Sequence, residues 1–139
     1  MKKVVNNYIS SIKKIFSDFR INLQRREIIK KNILMDEERK SILKFYDQKT
    51  WNDVYNHKDR ISGSDLSFLS IKAIANFLPA YILFCLKEPN EADVLCDDLI
   101  ELSKSKNFHR VLSYYTEDQK YLVKKIMDML EPFLEEVKE

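Results

Sequence analysis

The sequence predicts an all-α fold: a single compact helical domain of five to seven helices around a buried, proline-kinked central helix. Three observations predict it. Gly63 is the only glycine in 139 residues, beside three prolines, whereas a sheet protein draws on several glycines for turns and bulges. Apolar residues recur at spacings of three and four along most of the chain, the period of one helix face. Apolar residues make up 45% and charged residues 33%, a globular composition in a chain long enough for one real core. Residues 1–139 are read as one domain.

The first element is a basic amphipathic helical segment over residues 1–34. Val5, Tyr8, Ile9, Ile12, Phe16, Phe19 and Leu23 form its apolar face. Ile28, Ile29, Ile33 and Leu34 continue the pattern in shifted phase, so a bend or break is expected near Asn22 or Asn32. Asp36 then caps a second helix, with Glu37 and Glu38 in its first turn, where acids suit the helix dipole. Thr50 and Asp53 have the spacing of a capping box for a short helix through Trp51, Val54 and Tyr55. Residues 57–67, "HKDRISGSDLS", read as the one loop.

Ser70 opens the central helix, which runs to about Lys87, and Pro89 with Asn90 stops it. Its continuous apolar part, Phe77 to Leu86, is ten residues, about 15 Å of helix. A bilayer core needs about 30 Å, so the segment is core and not a membrane span. Pro79 has no N–H and displaces the carbonyl of Ala75, so a kink is expected there. Asn90 with Asp93 reads as the N-cap of the next helix, buried through Ala92, Leu95, Cys96, Leu99 and Leu102 to about Lys104. "NFHRVLSYY" is a short helical piece. Thr116 and Gln119 repeat the capping box before a last helix through Leu122, Ile126, Met129, Leu130, Phe133 and Val137, where Pro132 kinks the helix or ends its regular part.

The block "LSFLSIKAIANFLPAYILFCL", followed about thirty residues later by "FHRVLSYYTEDQKYLVKKIMDML", resembles a family of small bacterial proteins known as a domain of unknown function, family 6714. Trp51 carries the first element of the resemblance. Asp65, Phe68, Leu69, Ser70, Ala73, Phe77, Leu78, Pro79, Ala80 and Tyr81 carry the second. Thr116, Gln119, Val123 and Leu130 carry the third. The resemblance covers roughly residues 48–134 and leaves out the basic N-terminal segment. It implies a helical domain and no known reaction, so it transfers no catalytic residues.

The candidate chemistry is sparse. The chain has no Walker loop, GxSxG, HExxH or dinucleotide fingerprint. Cys85 and Cys96 have no CxxC partner or zinc-finger spacing and read as free buried thiols, which suits a cytoplasmic location. The N-terminus lacks the apolar run and cleavage site of a signal peptide. No metal site and no cofactor are expected. His57 and His109 are the only histidines. A hydrolase or nuclease reading makes His57 the base and Lys58 or Arg60 the phosphate clamp.

Charge is uneven although the net is only +2. Residues 1–45 carry 12 Lys/Arg against 5 Asp/Glu, and the remainder carries 12 against 17. Asp93, Asp97 and Glu101 fall on one helix face at i, i+4 and i+8, and Glu88, Glu91 and Asp98 extend that acidic face. Like charges at this spacing cost about 0.2–0.5 kcal/mol per pair, so a solvated helix face competes with a docking surface for a basic protein. The basic residues Lys13, Lys14, Arg20, Arg25, Arg26, Lys30 and Lys31 offer the mirror surface for phosphates or for an anionic membrane surface. The favoured expectation is a non-enzymatic protein-binding module of the immunity or antitoxin type, occluding the active site of a basic toxin partner. A nucleic-acid-associated protein is the second, and a His57-centred hydrolase or nuclease the third.

Overall fold

The computed structural model describes residues 1–30 and 36–138. The described residues fold into nine α-helices: α1 (Lys2–Ile15), α2 (Asp36–Tyr46), α3 (Trp51–Asn56), α4 (Asp65–Phe68), α5 (Ile71–Lys87), α6 (Pro89–Ala92), α7 (Val94–Lys104), α8 (Phe108–Leu112) and α9 (Glu117–Lys138). The number exceeds the expected five to seven because α4 and α6 are single turns. No strand is present among the described residues. One antiparallel bridge joins Ile29 to Leu69.

The axis is α5. Every residue from Ala73 to Leu86 is buried, and α1, α3, α6, α7 and α8 pack against it. Ser70 caps it as expected, its hydroxyl accepting from the Ala73 N–H at 3.1 Å. The helix runs through Pro79 without interruption. The carbonyl of Ala75, which the missing proline N–H leaves without its helical donor, accepts from the buried Tyr115 hydroxyl at 2.7 Å. Nor does Pro132 end α9, which continues to Lys138.

Both predicted capping boxes form. Thr50 Oγ1 accepts from the Asp53 N–H at 3.2 Å, and Asp53 Oδ2 accepts from the Thr50 N–H at 2.9 Å. Thr116 and Gln119 repeat the pair at 3.3 and 2.9 Å. Helix α2 takes Asp36 as its first residue, with Glu37 and Glu38 in the same turn.

The long N-terminal helix does not form. Helix α1 stops at Ile15, far short of residue 34, and the reason is tertiary. The Trp51 indole N–H donates to the carbonyl of Phe16 at 2.9 Å. The Ile21 N–H donates to Asn76 Oδ1 at 2.8 Å. Further on, the Lys30 N–H donates to Phe68 O, and the Ser70 N–H to Ile28 O, both at 2.9 Å. Backbone groups that a continued helix needs are thus held by residues far along the chain. The apolar face survives in part, with Val5, Ile12 and Phe16 buried.

Two smaller expectations also change. The predicted loop over 57–67 contains a 3-10 turn (Lys58–Arg60) and the start of α4. Asn90 does not cap the next helix. Pro89 opens α6, and the chain breaks at Asp93, whose φ of 39° and ψ of −105° are helical in neither sense.

Candidate functional site

The acidic surface lies along α6 and α7. Glu91, Asp93, Asp97 and Glu101 are exposed and Asp98 is half-buried. Among the described residues none of these five carboxylates makes an ion pair. Asp98 is held above the ordinary carboxylate range, chiefly by burial and then by the charges of Glu101 and Asp97. Val94, at 54% exposure, stands among them as an apolar centre.

Two of the six predicted acids are placed differently from the sequence reading. Glu88 is half-buried and lies 3.5 Å from Lys58 Nζ, an ion pair without a hydrogen bond. It is neutralised and leaves the free ridge. Asp93 lies at the break before α7, not inside it, and its side chain makes no capping bond. A backbone at this positive φ favours glycine, yet an exposed aspartate occupies it.

The basic residues lie on no single helix. Lys13 and Lys14 close α1. Arg20 and Lys30 lie outside any helix, and Arg25 and Arg26 form a 3-10 turn. Arg25 pairs with Asp47 at 2.8 Å. Lys31 lies outside the described residues. The early stop of α1 dismantles the continuous cationic helix face that the sequence predicted.

His57 and His109 line separate clefts and do not converge. His57 shares its cleft with Lys44, Phe45, Lys49, Arg60 and Asp65. Its Nδ1 lies 3.1 Å from the Asp53 carbonyl, which can only accept, so Nδ1 donates there, and Nε2 makes no hydrogen bond among the described residues. Asp65, buried at the floor, is the member that sequence reasoning left out of the site. Its Oδ2 accepts from the Tyr46 hydroxyl at 2.5 Å and from the Ser62 N–H at 3.1 Å. Tyr46 in turn accepts from the Tyr81 hydroxyl at 3.0 Å. Burial pushes the Asp65 carboxyl up, while the bonds from Tyr46 and Ser62 pull it down. Burial also pushes both tyrosine hydroxyls far above their ordinary range, so they act as neutral donors. Asp65 carried a sequence signal only through the resemblance, and the spacing of 19 and 16 residues to Tyr46 and Tyr81 has no local period.

The cleft and the ridge adjoin at Ser62 and Gly63. Ser62 lines the cleft, while a Cβ built on neighbouring Gly63 would lie 3.0 Å from Val94 Cγ1 of the ridge. Gly63 has no positive φ, so this close approach is its steric role.

Among the described residues, no group of three or more His, Cys, Asp or Glu is placed to hold a metal ion, and no helix is long and apolar enough to cross a membrane. Both cysteines are free and buried. Comparison with family models, curated proteins and solved structures finds no match to this chain. Among the motif residues, Leu69, Ala73, Phe77, Leu78, Pro79, Ala80 and Tyr81 are buried and serve the core, while the buried Asp65 lines the cleft.

Proposed function

We propose that this chain is a non-enzymatic protein-binding module of the immunity or antitoxin type, which neutralises a basic toxin in the cytoplasm by covering its active site. The observation that carries the reading is the ridge of five carboxylates that have no ion partner among the described residues, around the exposed Val94. Such a surface speeds encounter with a cationic protein, and unpaired acids lose no internal partner when they dock. Basic side chains that bind nucleic acid in a nuclease are natural counterparts, and pairing with them blocks the substrate. The strained aspartate at 93 supports the same reading, since its carboxylate is kept where glycine is the easier residue.

The test is co-expression with the protein encoded by the neighbouring gene in the native host. Co-purification and rescue of growth are expected, and both are lost in the Asp93→Lys, Asp97→Lys, Glu101→Lys triple variant. Unchanged binding in a folded triple variant removes the ridge from the interface.

A second reading, a small hydrolase or nuclease, draws on His57 Nε2, which makes no hydrogen bond among the described residues, beside Arg60 in one cleft. It requires an activity that His57→Ala abolishes, and an unaltered activity in that variant ends it.

A further inference from the structure

We infer that the cleft between α2 and α3 is a binding site for a mononucleotide, with its phosphate on Lys44, Lys49 and Arg60 and its base against Phe45. The inference concerns a different surface from the acidic ridge and does not depend on it. The cleft volume is about 550 Å³, within the range of small-molecule sites, about 300–1,000 Å³.

The rim is mainly cationic: three cations stand with one exposed acid, Asp53, whose Oδ2 accepts from the Thr50 N–H. Lys44, Lys49 and Arg60 are exposed, and among the described residues none of the three is in an ion pair. Three cations around one opening suit a phosphate dianion. The floor has the opposite sign. Asp65 Oδ2 is engaged by Tyr46 and Ser62, and Oδ1 has no hydrogen-bond partner among the described residues. That oxygen is an acceptor for a hydroxyl or amino donor. Between rim and floor, the half-buried Phe45 ring lines the cleft, held edge-on to Tyr46 at a centroid distance of 4.7 Å.

These features together select the ligand. A bare anion satisfies the rim but meets the buried carboxylate and leaves Phe45 uncovered. A ligand with a phosphate at one end, donors at the other and a π face between satisfies all three. A nucleoside monophosphate has that layout: ribose or base donors reach Asp65, and the base stacks on Phe45.

The test is calorimetric titration of the full chain at low salt with AMP, GMP, CMP, UMP and inorganic phosphate. At least one nucleotide is expected to saturate, with inorganic phosphate binding at least about tenfold more weakly. The Lys49→Ala, Arg60→Ala double variant is expected to lose about tenfold in nucleotide affinity, a typical effect of removing charge-assisted contacts. Phe45→Ala should weaken the nucleotide and leave phosphate unchanged. Amide spectra of each variant establish that it is folded. An Asp97→Lys, Glu101→Lys variant should bind nucleotide as wild type does. Absence of saturation by any nucleotide at millimolar concentration overturns the inference. So does phosphate binding as tightly as nucleotide, or an affinity that the double variant leaves unchanged.

Discussion

The hydroxyl of Tyr115 donates to the carbonyl of Ala75 at 2.7 Å, in place of the N–H that Pro79 lacks. Both ends of this bond are buried. A proline inside a helix costs about 3 kcal/mol or more, partly because it orphans that carbonyl. The tyrosine supplies the missing donor from 40 residues away. Tyr115→Phe is therefore expected to destabilise the protein by about 1–3 kcal/mol, the cost of an unsatisfied buried acceptor. In a Pro79→Ala background residue 79 regains its N–H, and the same tyrosine change should cost at least about 1 kcal/mol less. Urea denaturation of the four proteins measures the coupling, and strictly additive changes refute it.

The Asp65–Tyr46–Tyr81 chain gives a second prediction. Asp65→Ala strands the Tyr46 hydroxyl and the Ser62 N–H, with an expected loss of about 2–4 kcal/mol. Asp65→Asn keeps an acceptor oxygen for both donors and should cost about 1 kcal/mol or less. Equal losses for the two, read by denaturation midpoint, mean that the acceptor bonds do not account for the effect.

The same carboxylate sets a pH dependence. Burial raises its folded pKa above the ordinary aspartate range. The folded state therefore holds the proton more tightly than the unfolded chain, and stability from this group falls as pH rises through the folded pKa. Asp53 has the opposite sign. Its pKa is lowered, first by the Thr50 backbone bond, so its contribution is present at neutral pH and is lost as pH falls through that lowered value. As pH rises from the ordinary aspartate range through this raised folded pKa, the wild type should lose stability relative to Asp65→Asn. A constant gap across that range, measured by denaturation at each pH, contradicts the assignment.

At Asp93 stability and binding are expected to part. A non-glycine residue at such a backbone costs roughly 1–3 kcal/mol, and Asp93→Gly should recover about 1 kcal/mol of it. The same change removes a ridge carboxylate and should slow partner association. Gln48, with φ of 61°, is the internal control: Gln48→Gly should gain a similar stability and leave association unchanged. Thermal melts and association rates of the two variants check this pair.

Trp51 is the only tryptophan and is 2% exposed. Its emission should be blue-shifted in the folded state and shielded from acrylamide. Trp51→Phe removes the indole donor to Phe16 and should destabilise by about 1–3 kcal/mol. Faster amide exchange at the end of α1 would be its local signature, and unchanged exchange there would separate the indole from the helix stop.

Much of this molecule is readable from local pattern. The limits of α5, both capping boxes, the end of α7 at Lys104 and the burial of the Phe77–Leu86 run follow from residues within a turn or two of each other. Such signals are local because a cap, a proline or an apolar face acts through its own helix. The acidic ridge was legible for the same reason, since Asp97 and Glu101 share a face by spacing alone. Tertiary structure decided the rest. The amphipathic pattern over residues 1–34 has the period of one helix, but Trp51, Asn76 and Phe68 hold backbone groups between residues 16 and 30. The sequence implied that Pro79 frees the Ala75 carbonyl; only the folded chain shows that Tyr115 takes it. The cleft is likewise beyond local reading, because Lys44, His57 and Asp65 come together only when α2, the end of α3 and the start of α4 meet. Hydrogen bonds between distant residues leave no period in a sequence, and they decide where this protein stops being helical and where its polar groups converge.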